Sequence, residues 1–255
     1  LDKKYWVPAI ERADNILTII ANHPNEYRLI DLSKKLGINK SSLYSMLNTL
    51  ESLGWIQKER DDTYSLGMRM GILSALYFGR FDLIGTFSIE ADSAVKRLNE
   101  TLQLSLLDGT DILYLAKKDS TSPVRLATDP GMKLPAHATA MGKVHLSQYS
   151  FEQLQELYLG KKLEPKTPYT VKTLRELWEQ ITSLNDSGFI KEYQEAVEGF
   201  ICLAAPIRNH ENDIIAAVSV TMLSNNFEKK QEQAEREIVD LARRISLKAG
   251  FVSPA

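Results

Sequence analysis

Residues 29 to 55 constrain this chain more than any other stretch. Leu29, Leu32 and Leu36 fall at i, i+3 and i+7, the spacing of one helix face, and Gly37 comes next, where a residue without Cβ can turn left-handed. Asn39 is placed to cap a second helix through its side-chain oxygen. That helix carries an apolar stripe of Leu43, Met46, Leu47, Leu50 and Leu53. Lys40, Ser41, Ser42, Tyr44, Ser45, Asn48 and Thr49 lie on its other face. Helix, glycine turn and helix with a hydrogen-bonding outer face make a helix-turn-helix, whose second helix is built to enter the major groove of DNA. The same periodicity suits an ordinary helical hairpin with no DNA role.

The segment after the second helix favours the DNA-binding reading. Gly54 ends that helix, and Trp55–Lys58 and Thr63–Leu66 read as two strands around an Asp61-Asp62 turn, the wing of a winged helix. The net charge of −2 gives no global sign of nucleic-acid binding, but the distribution does. Residues 1–80 hold eleven Lys/Arg against nine Asp/Glu, whereas the remainder holds twenty against twenty-four. From Arg28 to Asn48 four basic residues (Arg28, Lys34, Lys35, Lys40) face one acid, Asp31: a local patch of the kind that contacts phosphates, or else an ordinary solvated helix surface. With Lys58 of the wing, these cations are the expected phosphate contacts. Ser41, Ser42, Tyr44, Ser45 and Asn48 are expected near the bases.

At 255 residues the chain is long enough for two domains, and 44% hydrophobic with 25% charged residues is globular composition. A lone cysteine, Cys202, excludes an intrachain disulfide and fits a reducing cytoplasm. We see no leader and no apolar run near membrane-spanning length, so a membrane partner is not expected.

Pro8 to Ala21 is expected to open the chain as a helix, with Ile10, Ala13, Ile16, Leu17 and Ile20 on one face. Gly67 to Phe81 is apolar nearly all round, so another surface must bury it: a partner subunit, or the chain itself. We read it as a linker helix that dimerises, dividing the chain into domains at 1–66, 67–82 and 83–255. The last part alternates helices and strands: helix 83–101, a hairpin 102–117 about Asp108-Gly109, a short strand 124–127, and a loop running into a helix near Ala138. Further helices are expected at 151–159, 171–187 and 228–251, and strands at 189–194, 201–207 and 214–222. Hairpin-joined strands with helices gathered elsewhere predict an α+β domain with an antiparallel sheet.

In the last strand Ala217, Ser219 and Thr221 share a face, in the strand before it Cys202, Ala204 and Pro206 share one, and the two sets can point the same way. Small polar atoms on neighbouring strands suit a small-molecule pocket, or merely fill a tight gap under a helix. The nearly bare stretch Ala138, Thr139, Ala140 and Gly142 would let a small anion approach backbone N–H groups at a helix start. No catalytic residue, metal site or cofactor is expected. His23, His137, His145 and His210 show no i, i+4 ligand pair, no glycine-rich phosphate loop is present, and Thr139 with Lys143 lacks an oriented base.

Residues 36–50, LGINKSSLYSMLNTL, resemble the recognition-helix signature of the IclR family of bacterial transcription regulators. Residues 134–143 (LPAHATAMGK), 199–207 (GFICLAAPI) and 216–220 (AAVSV) resemble three signatures of that family's C-terminal domain, in order and spacing. The resemblance runs from Val7 to the end. It implies a winged helix-turn-helix, a linker helix and a GAF-like effector domain, assembled as homodimer or homotetramer. It also implies an effector pocket lined near Ala140 and Met141 and by Glu192, Cys202, Ser219 and Thr221. Members often carry arginine where this chain has Ser45, and small residues or Asp where it has Met141 and Glu192. The expected function is a cytoplasmic, DNA-binding regulator, more often a repressor in this family, whose hold on a double-stranded operator is modulated by a small carboxylate or aromatic effector. The alternatives are a sensor or enzyme that has lost DNA binding, and a constitutive DNA-binding dimer without effector.

Overall fold

A computed structural model describes residues 6–79, 81–122, 124 and 126–252, with the side chains of Tyr77, Phe78 and Asn185 outside the description. The chain divides into two compact units, Leu1–Arg80 and Phe81–Ala255.

In the first unit α1 (Pro8–Asn22), α2 (Leu29–Leu36) and α3 (Lys40–Ser52) precede a hairpin of β1 (Ile56–Lys58) and β2 (Tyr64–Leu66). Gly37 sits at φ 65° between α2 and α3, a conformation that any Cβ would strain. Ile16, Ile20, Leu32, Leu43, Leu47, Leu50, Ile56 and Tyr64 form the core. Each large side chain buried there stabilises the unit by roughly 1.5–3 kcal/mol. Two stripe members fall outside the core. Ile10, in the first turn of α1, is 68% exposed, and Leu53, in the cap position past the end of α3, is 53% exposed. The unit ends with α4 (Met68–Phe78), whose Met68, Ile72, Leu73 and Leu76 all lie exposed.

The second unit is a six-stranded sheet, every described pairing antiparallel, in the order β5-β4-β3-β8-β7-β6. Its strands are β3 (Thr101–Asp108), β4 (Asp111–Lys118), β5 (Lys133–Pro135), β6 (Ile190–Tyr193), β7 (Phe200–Arg208) and β8 (Ile214–Leu223). One face packs on α5 (Leu83–Leu98) and the last helix, α10 (Ser224–Lys248), through Leu104, Leu203, Val218 and Val220. The other is covered by α6 (Ala140–Leu146), α7 (Phe151–Leu157) and α8 (Leu174–Thr182), with α9 (Leu184–Ser187) closing that layer. Both faces of β8 are therefore buried, and strand alternation assigns Ala217, Ser219 and Thr221 to the α6 side.

Several boundaries move from the sequence expectation. α5 stops at Leu98 because Asn99 takes a left-handed cap at φ 51°, and Thr101 already belongs to β3. No strand forms at 124, 126 or 127, and Arg125 lies outside the described residues. β5, three residues long, is too short for its alternation to show in sequence. The helix expected over 171–187 begins only at Leu174, where Thr173 and Glu176 form a reciprocal capping box, and it breaks after Thr182. In α10, Ile238, Leu241 and Ile245 are buried as the spacing predicts, but Leu247 is half exposed in the last turn of the helix.

Candidate functional site

The candidate nucleic-acid interface is built on α3. Asn39 Oδ1 accepts the Ser42 backbone N–H at 2.8 Å and the Ser41 hydroxyl at 2.9 Å, fixing the helix start. Lys40, Ser41, Tyr44, Ser45 and Asn48 then line one exposed face, and Ser42 is half-buried beside it. Tyr44 stands 60% exposed, the large apolar ring on this face. The hydroxyl protons of Ser41 and Ser45 are engaged within the helix, Ser45 Oγ donating to Ser41 O at 3.1 Å. What these serines offer a partner is chiefly acceptor lone pairs.

The cations differ in availability. Arg28, Lys34 and Lys40 are exposed and have no ion-pair partner among the described residues. Lys35 Nζ donates to Tyr27 Oη at 2.7 Å and lies over its ring. Lys58 pairs with Asp62 at 2.6 Å, which raises the lysine's pKa. A phosphate must compete for both of these lysines.

In the second unit, cross-strand register gathers the other candidates on the α6 side of the sheet. Glu192 pairs with Cys202, Cys202 with Thr221, Ala204 with Ser219, and Ser219 with Gln103. A cavity of ≈ 10 Å³, about enough for one water molecule, lies there. Ala140, Met141, Glu192, Cys202 and Ser219 line it together with Gln103, Tyr114 and Leu126. Thr221 stands behind this lining. Its hydroxyl donates to Gln103 Oε1 at 3.1 Å, the Ser219 hydroxyl donates to the same oxygen at 3.2 Å, and Cys202 Sγ contacts Thr221 Oγ1 at 3.5 Å. Gln103 Nε2 in turn donates to Thr128 Oγ1. Gln103 is thus the hub of the polar network, although sequence reasoning passed it over. The available signal was a glutamine among the alternating leucines of β3.

Glu192 is buried, and burial pushes its carboxyl pKa up to about 7 against the backbone N–H donors of Glu195 and Ala196 and the charge of Lys143. Beside it Lys143, fully buried on α6, pairs with Glu195 at 2.5 Å. Glu195 Oε2 also accepts the Val171 N–H at 3.2 Å. Burial likewise pushes the Cys202 thiol up, which argues against a reactive thiolate. His145 Nε2 lies 3.2 Å from Ser105 O, and burial pulls its pKa down to about 4, so it is neutral at physiological pH.

The expected anion site at a bare helix start does not form. α6 begins at Ala140, is seven residues long, and has its Gly142 N–H taken by Thr139 Oγ1 at 3.1 Å. The small residues serve packing instead: a Cβ on Gly142 would lie 2.2 Å from Ala136 O. Among the described residues no three His, Cys, Asp or Glu side chains converge to hold a metal ion, and no helix is long and apolar enough to cross a membrane.

A winged helix-turn-helix unit with an exposed polar recognition helix, in a chain with a separate α+β unit that holds a small cavity, defines a DNA-binding transcriptional regulator. Residues 9–60 match the IclR helix-turn-helix domain, and residues 75–247 match the bacterial transcriptional regulator IclR C-terminal domain. The chain belongs to the IclR family of bacterial transcriptional regulators. It is 29% identical over 237 residues to the HTH-type transcriptional regulator XynR of Escherichia coli (strain K12), covering 89% of this chain and 94% of XynR. It is 28% identical to the HTH-type transcriptional regulator KdgR of Dickeya chrysanthemi, covering 89% and 75% of the two chains. The fold is shared with the Agobacterium tumefaciens repressor BlcR, at a TM-score of 0.84 and 24% identity over 99% of this chain and 100% of that one. These relatives are regulators, not enzymes.

Proposed function

We propose that this chain is a cytoplasmic repressor that binds a double-stranded operator as a homodimer or homotetramer and changes its hold on DNA when a small molecule enters the second unit. The observation that carries the DNA half is the capped, exposed face of α3 with Lys34, Lys40 and Arg28 unpaired nearby. In this reading those three cations, with Lys35 and Lys58, contact phosphates. Ser41, Ser42, Tyr44, Ser45 and Asn48 approach bases. Residues 1–66 form the DNA-binding domain and 83–255 the effector domain. Residues 67–82 form the linking segment, and the exposed Leu73 and Leu76 of its helix α4 are covered by a second copy. The effector meets Ala140, Met141, Glu192, Cys202 and Ser219, with Thr221 acting through Gln103. The relative named BlcR is a repressor, which supports that sign of regulation.

A gel-shift series on the DNA flanking the protein's own gene, at rising salt, tests the reading. Binding with a steep salt slope is expected. Absence of any shifted species at low salt would sink it.

A further inference from the structure

The cavity's polar inventory says what kind of molecule it takes. Tyr114 is only 5% exposed, lines the cavity, and its phenolic oxygen makes no hydrogen bond among the described residues. Among the described residues the fully buried side-chain atoms left without a partner are Tyr158 Oη and Gln180 Oε1, so the Tyr114 hydroxyl is an accessible group of the cavity and not a sealed one. Glu192 accepts the N–H groups of Glu195 and Ala196, both through Oε1. Oε2 takes no N–H or O–H among the described residues, and the other polar group at this carboxyl is the weakly donating Cys202 thiol. Ser219 donates its proton to Gln103 and retains acceptor lone pairs. No cation lines the cavity among the described residues. Lys143, whose charge acts on both Glu192 and Cys202, is already held by Glu195. A carboxylate ligand would therefore meet a carboxyl group, and the buried lysine could neutralise it only by abandoning Glu195. A hydroxyl group fits differently. It can accept from Tyr114 and donate to Glu192 or Ser219 while its carbon frame meets Leu126, Leu134 and Met141.

We infer that the molecule bound in this cavity is a small, uncharged, hydroxyl-bearing compound held between Tyr114 Oη and Glu192 Oε2, and not a carboxylate. The inference rests on the reading of this unit as the effector domain, and of the two classes the sequence led us to expect, a small carboxylate or an aromatic metabolite, it departs from the first. The cavity holds ≈ 10 Å³, about one water molecule, so a larger molecule must displace a wall. Leu126 and Ala196 are the walls on segments outside helices and strands.

The test uses the full chain and matched probes that differ only by oxidation of CH2OH to carboxylate: propane-1,2-diol with lactate, benzyl alcohol with benzoate, and glucose with glucuronate. Thermal shift and calorimetry are run at pH 8, above the Glu192 pKa of about 7. At least one alcohol is expected to bind about tenfold or more tightly than its acid. Tyr114→Phe should weaken that alcohol by about tenfold while the melting midpoint without ligand stays put, because the lost hydroxyl has no hydrogen-bond partner among the described residues. Glu192→Gln should narrow the gap between alcohol and acid. Acids binding as tightly as alcohols, an unaffected Tyr114→Phe variant, or no stabilisation by any alcohol at millimolar concentration would each overturn the inference. Anisotropy with DNA from the flank of the gene separates the two layers. Acids that bind and move DNA affinity leave the effector reading standing and remove the ligand class. An alcohol that binds without moving DNA affinity does the reverse.

Discussion

Lys143→Met is the sharpest perturbation available in the second unit. Lys143 is 0% and Glu195 6% exposed at the side chain, with Nζ and Oε1 2.5 Å apart. Replacing the lysine leaves a carboxylate that cannot swing to water. Its Oε2 holds the Val171 N–H, and its backbone oxygen accepts the Thr170 hydroxyl at 2.7 Å. Breaking a buried pair by removing one partner costs about 3–5 kcal/mol, because a buried charge loses its counter-charge. For a unit of this size that lowers the melting midpoint by about 10 °C. Adding Glu195→Gln should restore most of the loss. The amide oxygen still accepts the Val171 N–H, and no uncompensated charge remains. Urea unfolding monitored by circular dichroism gives the numbers. If Lys143→Met loses less than about 1 kcal/mol, or the double variant is as unstable as the single, the pair is not what holds α6 against the 194–196 segment.

Four further outcomes are expected. Glu192 has its pKa raised from 4.5 to about 7, so the stability its protonated form contributes is full below about 4.5 and is lost as pH rises through 7; relative to wild type, Glu192→Gln should gain up to roughly 3 kcal/mol between pH 5 and pH 8, measured by chemical denaturation at each pH. Neutralising Lys40 should weaken all DNA sequences alike and lower the salt slope by roughly one unit; an unchanged slope removes Lys40 from the phosphate contacts. Leu76→Glu places a charge on the exposed face of α4 and should split the proposed oligomer, which sedimentation velocity would reveal, an intact dimer contradicting it. Ser219→Ala with Thr221→Val removes both donors to Gln103 Oε1 and should cost about 1–3 kcal/mol in thermal unfolding even without ligand.

The helix-turn-helix was legible because its determinants are local. Gly37 at φ 65°, Asn39 capping Ser42, and leucines at 43, 47 and 50 act within a few residues, and chain geometry alone turns them into α2, α3 and their turn. The strand faces in the second unit were legible for a like reason, since alternation put Ser219 and Thr221 on one side before their partners were known. The site itself depended on distances along the chain that no pattern encodes. Gln103 meets Ser219 across 116 residues, and Lys143 meets Glu195 across 52. Gly142, read as part of an open approach for an anion, is a close contact with the Ala136 backbone. Sequence by itself determined which residues are helical and which side of a strand each side chain takes, because backbone geometry is a short-range property. Only tertiary structure decided that Gln103, and not a ligand, receives the protons of Ser219 and Thr221, because register and burial are settled only when the whole sheet closes.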